Sequence, residues 1–178
     1  MIKLETRNLS YSYRAGQAVL NDISLEIYEG SVTVLLGLNG SGKTTLIKVL
    51  TGLLKPLKGT TFIEAKDITQ ISSTELSKLI SYVPQNISDD TDFAVLDYLT
   101  FGRMNTIKFY SSPKSEDYEK AKAVAEELGI IDLLSEKMNE LSGGQRQLVT
   151  IARAVVQDSG IIIMDEPTAS IDYKFLNI

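Results

Sequence analysis

An unbroken glycine-rich stretch, GLNGSGKT at Gly37–Thr44, decides the fold of this 178-residue chain. Just before it, the apolar run at 32–36 predicts a strand that is buried on both faces of a parallel sheet. Just after it, apolar residues recur at helical spacing from Leu46 to Leu54, until Pro56 ends the helix. The sequence therefore predicts a strand, a glycine-rich loop and a helix in direct succession, the setting in which this pattern binds phosphate.

Each residue type in the loop has a physical task in holding phosphate. Glycines allow conformations that turn successive backbone N–H groups inward, and the following helix directs its positive end to the same point. Lys43 adds a mobile positive charge for the outer phosphates, and Thr44 supplies a hydroxyl to Mg2+. A glycine-rich turn that binds nothing is the alternative, and the full match in the required setting argues against it. The residues of this phosphate loop are Gly37, Leu38, Asn39, Gly40, Ser41, Gly42, Lys43 and Thr44.

The composition is that of one folded domain, with 43% hydrophobic and 23% charged residues. A net charge of −5 argues against a nucleic-acid partner, because such binding relies on clustered cations. Since the chain has no Cys and no His, catalysis would fall to carboxylates, Lys, hydroxyls or backbone donors. No apolar run is long enough to span a bilayer and no secretory signal is visible, so we expect a cytoplasmic protein.

Strands and helices alternate along the chain. Alternating apolar residues predict strands in the first 28 residues. Further strands are predicted at 60–63, 80–83 and 161–164, and helices at 73–79, 95–103, 115–128 and 148–156. This order predicts an α/β fold with a mainly parallel sheet.

Two adjacent carboxylates, Asp165 and Glu166, follow the apolar run Ile161–Met164. The ends of strands in open α/β sheets are where ligands bind. Asp165 would hold Mg2+ directly or through water, and Glu166 could polarise an attacking water, since no His is available as the base. Two such acids alone are more often part of a solvated loop. Together with the phosphate loop they favour a catalytic site.

A second candidate anion site is the pentapeptide LSGGQ at Leu141–Gln145. Ser142 is a favoured residue at the start of a helix, and the two glycines after it let an anion approach the backbone. The predicted helix that follows carries Arg146 and Arg153. Without the other motifs this would be a capped helix and nothing more.

Together the three motifs resemble the nucleotide-binding domain of ATP-binding cassette (ABC) ATPases. The pentapeptide matches the signature of that family without a substitution, and the motifs follow the family's order from Ile2 to about Asp172. The resemblance implies a P-loop NTPase fold with a mainly parallel central sheet, an N-terminal antiparallel β subdomain and a helical subdomain that carries the signature. It further implies one domain at 1–178, with the helical subdomain inserted at about 86–157.

Three further positions resemble functional residues of the family. Tyr13 resembles the aromatic residue that stacks on adenine, with Tyr11 as the alternative. Gln85 resembles the glutamine that contacts Mg2+ and communicates with the membrane subunits. Asp172, after Ser170 and Ile171, resembles the dimer-contact residue, with Ile where the family more often has Leu.

In this family two domains pair head to tail and bury two ATP molecules between them. The resemblance implies that ATP is held by Tyr13, by Gly37 to Thr45 and by Asp165, and that Mg2+ is held by Thr44, Gln85 and Asp165. It assigns catalysis to Glu166, Lys43 and Gln85. It implies that Ser142, Gly143, Gly144 and Gln145 face the γ-phosphate of ATP on the opposite subunit.

The resemblance also implies a role in transport. The segment Val95–Arg103 is similar to importer ATPases that serve iron-siderophore, haem and cobalamin uptake. The implied partners are a second nucleotide-binding domain, integral membrane permease subunits and a solute-binding protein, and the implied location is the inner face of the cell membrane. A non-membrane ABC ATPase of DNA repair or translation is an alternative, although the chain lacks the insertions, duplications and basic arms usual there.

The chain ends soon after Glu166, whereas family members continue through another strand to a histidine. In related ATPases that strand inserts between the strand before the phosphate loop and the strand before the acids. We therefore expect a C-terminally truncated domain that lacks the last strand and the histidine loop. A nucleotide-binding remnant without catalytic activity is the second alternative.

Overall fold

The computed structural model describes residues 1–14, 16–85, 92–107 and 111–167. The chain divides into two compact units, Met1–Leu79 and Ile80–Ile178, and each is described by itself. The predicted α/β class is confirmed, with an antiparallel N-terminal sheet and a group of helices around the signature. The predicted helical insertion at 86–157 remains a prediction.

The first unit contains a four-stranded antiparallel sheet with the order β2-β1-β3-β4. Its strands are β1 (Ile2–Tyr11), β2 (Leu20–Tyr28), β3 (Lys58–Ile63) and β4 (Lys66–Asp67). Leu4 and Thr6 of β1 are buried in alternation, and after a register shift Leu9 is the next buried residue. Asn8 lies in that shift with a φ of 49°, and its side-chain amide donates to Asp22 Oδ1 at 2.8 Å.

The helices of the first unit are α1 (Lys43–Leu50) and α2 (Ser73–Leu79), with a 3-10 turn at Ile68–Gln70. The predicted helix after the phosphate loop extended to Leu54, but α1 ends at Leu50. Gly52 explains the earlier end, because it lies just beyond the terminal residue Thr51 and has a φ of 73°. Glycine in this left-handed conformation commonly ends a helix.

The predicted strand at 32–36 is wrong. Residues 31–38 belong to no strand, and the side chains of Val32 and Leu36 are 93% and 86% exposed. Within the described residues no other segment forms a ladder with this one. An apolar run without a hydrogen-bonding neighbour leaves its backbone N–H and C=O groups to water, so hydrophobic pattern alone does not make a strand.

The second unit contains two parallel strands, β5 (Ile80–Val83) and β6 (Ile161–Met164), paired in register from Ile80 with Ile161 to Val83 with Met164. Parallel pairing among the described strands is limited to these two. Both strands lie at their predicted positions. The backbone N–H of Asp165 donates to the Val83 carbonyl at 3.0 Å, which extends the contact by one residue beyond β6.

Three helices pack around one hydrophobic core in the second unit: α3 (Val95–Thr100), α4 (Ser115–Glu127) and α5 (Gly143–Val156). They are joined by 3-10 turns at Phe101–Asn105, Ile131–Leu133 and Met138–Glu140. The core consists mainly of Val95, Leu99, Ala121, Val124, Ala125, Ile130, Met138, Leu141, Val149, Ala152 and Val156. No helix in the described part of the chain is long and apolar enough to cross a membrane.

Candidate functional site

The phosphate loop is built on two glycines with left-handed backbone. Gly40 has a φ of 78°, and Gly42 caps α1 with a φ of 95°. A Cβ on Gly42 would also approach the Val19 carbonyl oxygen to 3.1 Å, so both conformation and space require glycine there. The residues from Gly37 to Ser41 are exposed, which leaves the loop backbone open to a ligand.

Lys43 folds back over this loop. Its Nζ donates to the carbonyls of Gly37 at 2.8 Å and Leu38 at 3.1 Å. No side chain caps the start of α1, and its first turn carries no acidic residue. The free N–H groups of the helix start and the lysine charge are thus both available to an anion. Thr44, half-buried, is the second residue of the same helix.

Tyr13 lies beside the helix that follows the loop. The residue is 58% exposed, and its hydroxyl lies 3.3 Å from the Thr45 hydroxyl in α1. Tyr11, the alternative, lies in β1 and packs edge-to-face against Tyr13 with 5.0 Å between the ring centroids. Tyr13 is therefore the ring of the two that is both more exposed and hydrogen-bonded to the phosphate-loop helix.

Asp165 is the buried member of the acidic pair. It is only 2% exposed, and its Oδ2 has no hydrogen-bond partner among the described residues. Burial raises the pKa of the Tyr82 hydroxyl, and the negative charge of Asp165 raises it further. An unpartnered buried carboxylate oxygen is costly unless a cation or another donor satisfies it.

Gln85 and Glu166 are brought together at the ends of the two parallel strands. The amide Nε2 of Gln85 donates to Glu166 Oε2 at 2.5 Å, although the residues lie 81 positions apart. Both residues are exposed, and Glu166 has a φ of 49°, a left-handed conformation that costs energy for a side-chain-bearing residue. The pair presents a carboxylate and an amide oxygen just beyond the ends of β5 and β6.

These donors fit Mg2+, a hard cation that takes oxygen ligands and is held by one or two carboxylates together with phosphate oxygens. Within the second unit, Asp165 offers the orphaned oxygen and Gln85 an amide oxygen. Among the described residues, no group of three or more His, Cys, Asp or Glu side chains could hold a metal ion.

The signature pentapeptide forms the exposed start of α5. The Ser142 hydroxyl accepts from the Gln145 backbone N–H at 3.3 Å, and the Gln145 side chain accepts from the Ser142 backbone N–H at 2.9 Å. This reciprocal capping box fixes the first turn of the helix. Ser142 and Gly143 are exposed, and Gly144 and Gln145 are half-buried.

The structure thus places the predicted site residues in two sets. The first unit holds Tyr13 and the loop from Gly37 to Thr45, and the second holds Gln85, Asp165, Glu166 and the signature from Ser142 to Gln145. Asp172 lies outside the described residues. Sequence reasoning missed the contact of Tyr13 with Thr45 and the backbone contacts of Arg146, since neither leaves a local pattern.

Comparison with known proteins identifies the family of the chain. The family model described as ABC transporter matches residues 20–169. A "Probable iron chelatin transport ATP-binding protein" of Helicobacter pylori is 40% identical over 172 residues, covering 96% of this chain and 67% of its own length. A manganese transport system ATP-binding protein of Bacillus subtilis is 39% identical over 174 residues, covering 97% of this chain and 67% of its own length.

The chain is also similar to solved structures. A nucleotide-free ATP-binding cassette from an ABC transporter is 34% identical, with a TM-score of 0.86, covering 99% of this chain and 73% of that one. The chain spans about two thirds of the length of the curated relatives it matches. The predicted ATPase class is confirmed at the level of the family: this chain belongs to the ABC transporter family, in its ATP-binding cassette.

Proposed function

We propose that this chain is the ATP-binding and ATP-hydrolysing subunit that energises an importer of iron or another metal chelate. The observation that carries the proposal is the phosphate loop, in which Lys43 and the uncapped start of α1 converge on one exposed backbone. The metal assignment rests on relatives whose names concern iron chelatin and manganese transport.

The geometry of the first unit supports nucleotide binding there. Triphosphate oxygens replace the Gly37 and Leu38 carbonyls as acceptors for Lys43 Nζ, and the loop N–H groups donate to the same oxygens. The Thr45 hydroxyl holds Tyr13 near the loop, which leaves the exposed ring to stack on adenine. The loop supplies charge and the ring supplies a flat apolar surface, as an adenine nucleotide requires.

Thr44, Gln85 and Asp165 would hold Mg2+, since each presents an oxygen of the kind that this cation prefers. When bound, Mg2+ supplies neutralisation of the charge that develops on the phosphate oxygens. The part of the chain's own residues is to fix those oxygens: burial holds the Asp165 carboxylate, and the contact with Glu166 orients the Gln85 amide.

Glu166 is the proposed base. Its carboxylate lies exposed after β6, where it orients a water for attack on the γ-phosphorus and accepts the proton of that water. The bond from the γ-phosphorus to the bridging oxygen breaks, and ADP leaves. Gln85 fixes the direction of the carboxylate through its amide N–H. Phosphoryl transfer depends mainly on such positioning and on charge stabilisation.

Hydrolysis requires a second copy in this proposal. Two chains pair head to tail, and the signature residues Ser142 to Gln145 of one chain complete the phosphate site of the other with hydroxyl and helix N–H donors. Asp172 belongs to the contact between the copies. The transporter further comprises membrane permease subunits and a solute-binding protein, and the chain acts on the cytoplasmic face of the membrane. No nucleic acid takes part.

A second candidate function, nucleotide binding without turnover, is favoured by one observation. Residues 31–38, which lead into the phosphate loop, are exposed and belong to no strand of the described structure, and Val34 alone is 71% exposed. A loop anchored on one side only is less firmly positioned for chemistry, although it can still bind phosphate.

ATP turnover separates the two candidates. We expect Mg2+-dependent hydrolysis by the purified chain, measured as phosphate release, and a loss of at least about 100-fold in Glu166→Gln. Glu126→Gln is the matched control, since Glu126 is an exposed carboxylate on α4, and it should retain activity. Absence of turnover together with intact nucleotide binding would support the second candidate instead.

A further inference from the structure

Arg146 joins the start of α5 to the turn that precedes it. Its Nε donates to the Met138 carbonyl at 3.2 Å, and its Nη2 donates to the Leu141 carbonyl at 3.0 Å. Met138 and Leu141 are both buried in the core of the helices. The planar guanidinium of Arg146 therefore binds the carbonyls of two residues whose side chains are packed in the core.

Ser142 lies between these anchors and the helix. It follows Leu141 directly, and its own carbonyl accepts from the Arg146 backbone N–H at 2.9 Å. The side chain of Arg146 binds the Leu141 carbonyl, just before Ser142. The backbone N–H of Arg146 binds the carbonyl of Ser142 itself. The direction of the Ser142 hydroxyl and of the first N–H groups of α5 depends on both contacts.

We propose that Arg146 is a positioning residue that holds the signature Ser142–Gln145 in the orientation that receives the γ-phosphate of ATP bound to a second copy of this chain. The inference rests on the proposed function. Arg146 acts through the backbone, because two donors of its guanidinium bind the carbonyls of Met138 and Leu141. Arg146 sets the backbone geometry at Ser142, and a positive charge at this position is not sufficient for that role.

Arg146→Lys separates geometry from charge. Lysine keeps the positive charge, but its ammonium is a point charge that lacks the planar fork needed to bridge both carbonyls. Arg153→Lys is the matched control on the same helix, because the Arg153 guanidinium lies 5.0 Å from the centre of the Tyr98 ring, a contact that lysine can replace.

The first readout is amide hydrogen exchange in the nucleotide-free chain. We expect exchange at 142–145 to become about fivefold to tenfold faster in Arg146→Lys and to stay unchanged in Arg153→Lys. Buried residues of α4, such as Val124, serve as an internal standard, since a general loss of stability would accelerate them as well. Unchanged exchange at 142–145, or equal acceleration in α4, would overturn the proposal.

The second readout is ATP-driven dimer formation in a Glu166→Gln background, followed by sedimentation of the 19.6 kDa chain. We expect Arg146→Lys to weaken dimer formation about tenfold, while the affinity of the monomer for ATP stays within about twofold. Dimer formation at full strength in this variant would contradict the positioning role. If Glu166→Gln itself binds no ATP or forms no dimer, the proposed function fails, and the exchange measurement alone decides the role of Arg146.

Discussion

At the scale of single residues, Lys43 and Gln85 each make a contact that bears on the proposed nucleotide site. Lys43 donates to two carbonyls of its own loop, and Gln85 donates to Glu166. In the proposed function, Lys43 exchanges these contacts for charge-assisted bonds to phosphate, which are stronger than bonds to neutral carbonyls. Gln85 keeps its amide oxygen for a ligand while its nitrogen holds Glu166 in place.

Lys43→Ala should weaken ATP binding about 30-fold to 150-fold, because it removes a charged donor worth roughly 2–3 kcal/mol. Titration calorimetry of the purified chain measures this change. Lys48→Ala, in the last turn of the same helix, is the control and should bind ATP as the unmodified chain does. Equal affinities for Lys43→Ala and the unmodified chain would remove the phosphate-loop assignment.

At the scale of elements, local patterns predicted what local interactions determine. The start of α5 at Ser142 and the strand Ile161–Met164 lie where the sequence indicates, because capping and apolar runs are short-range features. The strand that the apolar run predicts at 32–36 is absent from the structure, since a strand forms only with a neighbour elsewhere in the chain and a local pattern does not reveal that neighbour. The contacts of Tyr13 with Thr45 and of Gln85 with Glu166 span 32 and 81 positions and leave no local signal.

Exposure of the 32–36 segment makes a direct prediction about stability. Val34→Thr should change the free energy of unfolding by less than about 0.5 kcal/mol, because the side chain already lies in water. Val49→Thr is the comparison, since Val49 is buried in α1, and it should cost more than about 1 kcal/mol. Denaturant titration measures both, and a cost at Val34 equal to that at Val49 would place Val34 in a buried strand.

The close packing of the 3-10 turn Phe101–Asn105 against α5 leads to a second prediction about stability. A Cβ on Gly102 would lie 2.6 Å from the Arg153 carbonyl oxygen, so Gly102→Ala must push the turn away from the helix. We expect a loss of about 1–3 kcal/mol in unfolding free energy. A midpoint equal to that of the unmodified chain would show that the turn does not pack against α5 as described.

At the scale of the whole molecule, family membership and geometry support each other. The family match covers residues 20–169, which includes the phosphate loop, the signature and the acidic pair. Sequence motifs predicted where these groups lie along the chain. The sequence did not predict which backbone carbonyls hold Lys43 and Arg146, because those contacts depend on how turns and helices pack.

The most direct test of the central claim, that this chain binds Mg-ATP through its phosphate loop, is thermal unfolding with and without Mg-ATP. A ligand that binds only the folded state raises its stability, so at a hundredfold excess over Kd we expect the midpoint to rise by about 5–10 °C. Lys43→Ala, compared at the same Mg-ATP concentration, should show little of this rise. A midpoint that Mg-ATP leaves unchanged, or raises equally in Lys43→Ala, would contradict the account.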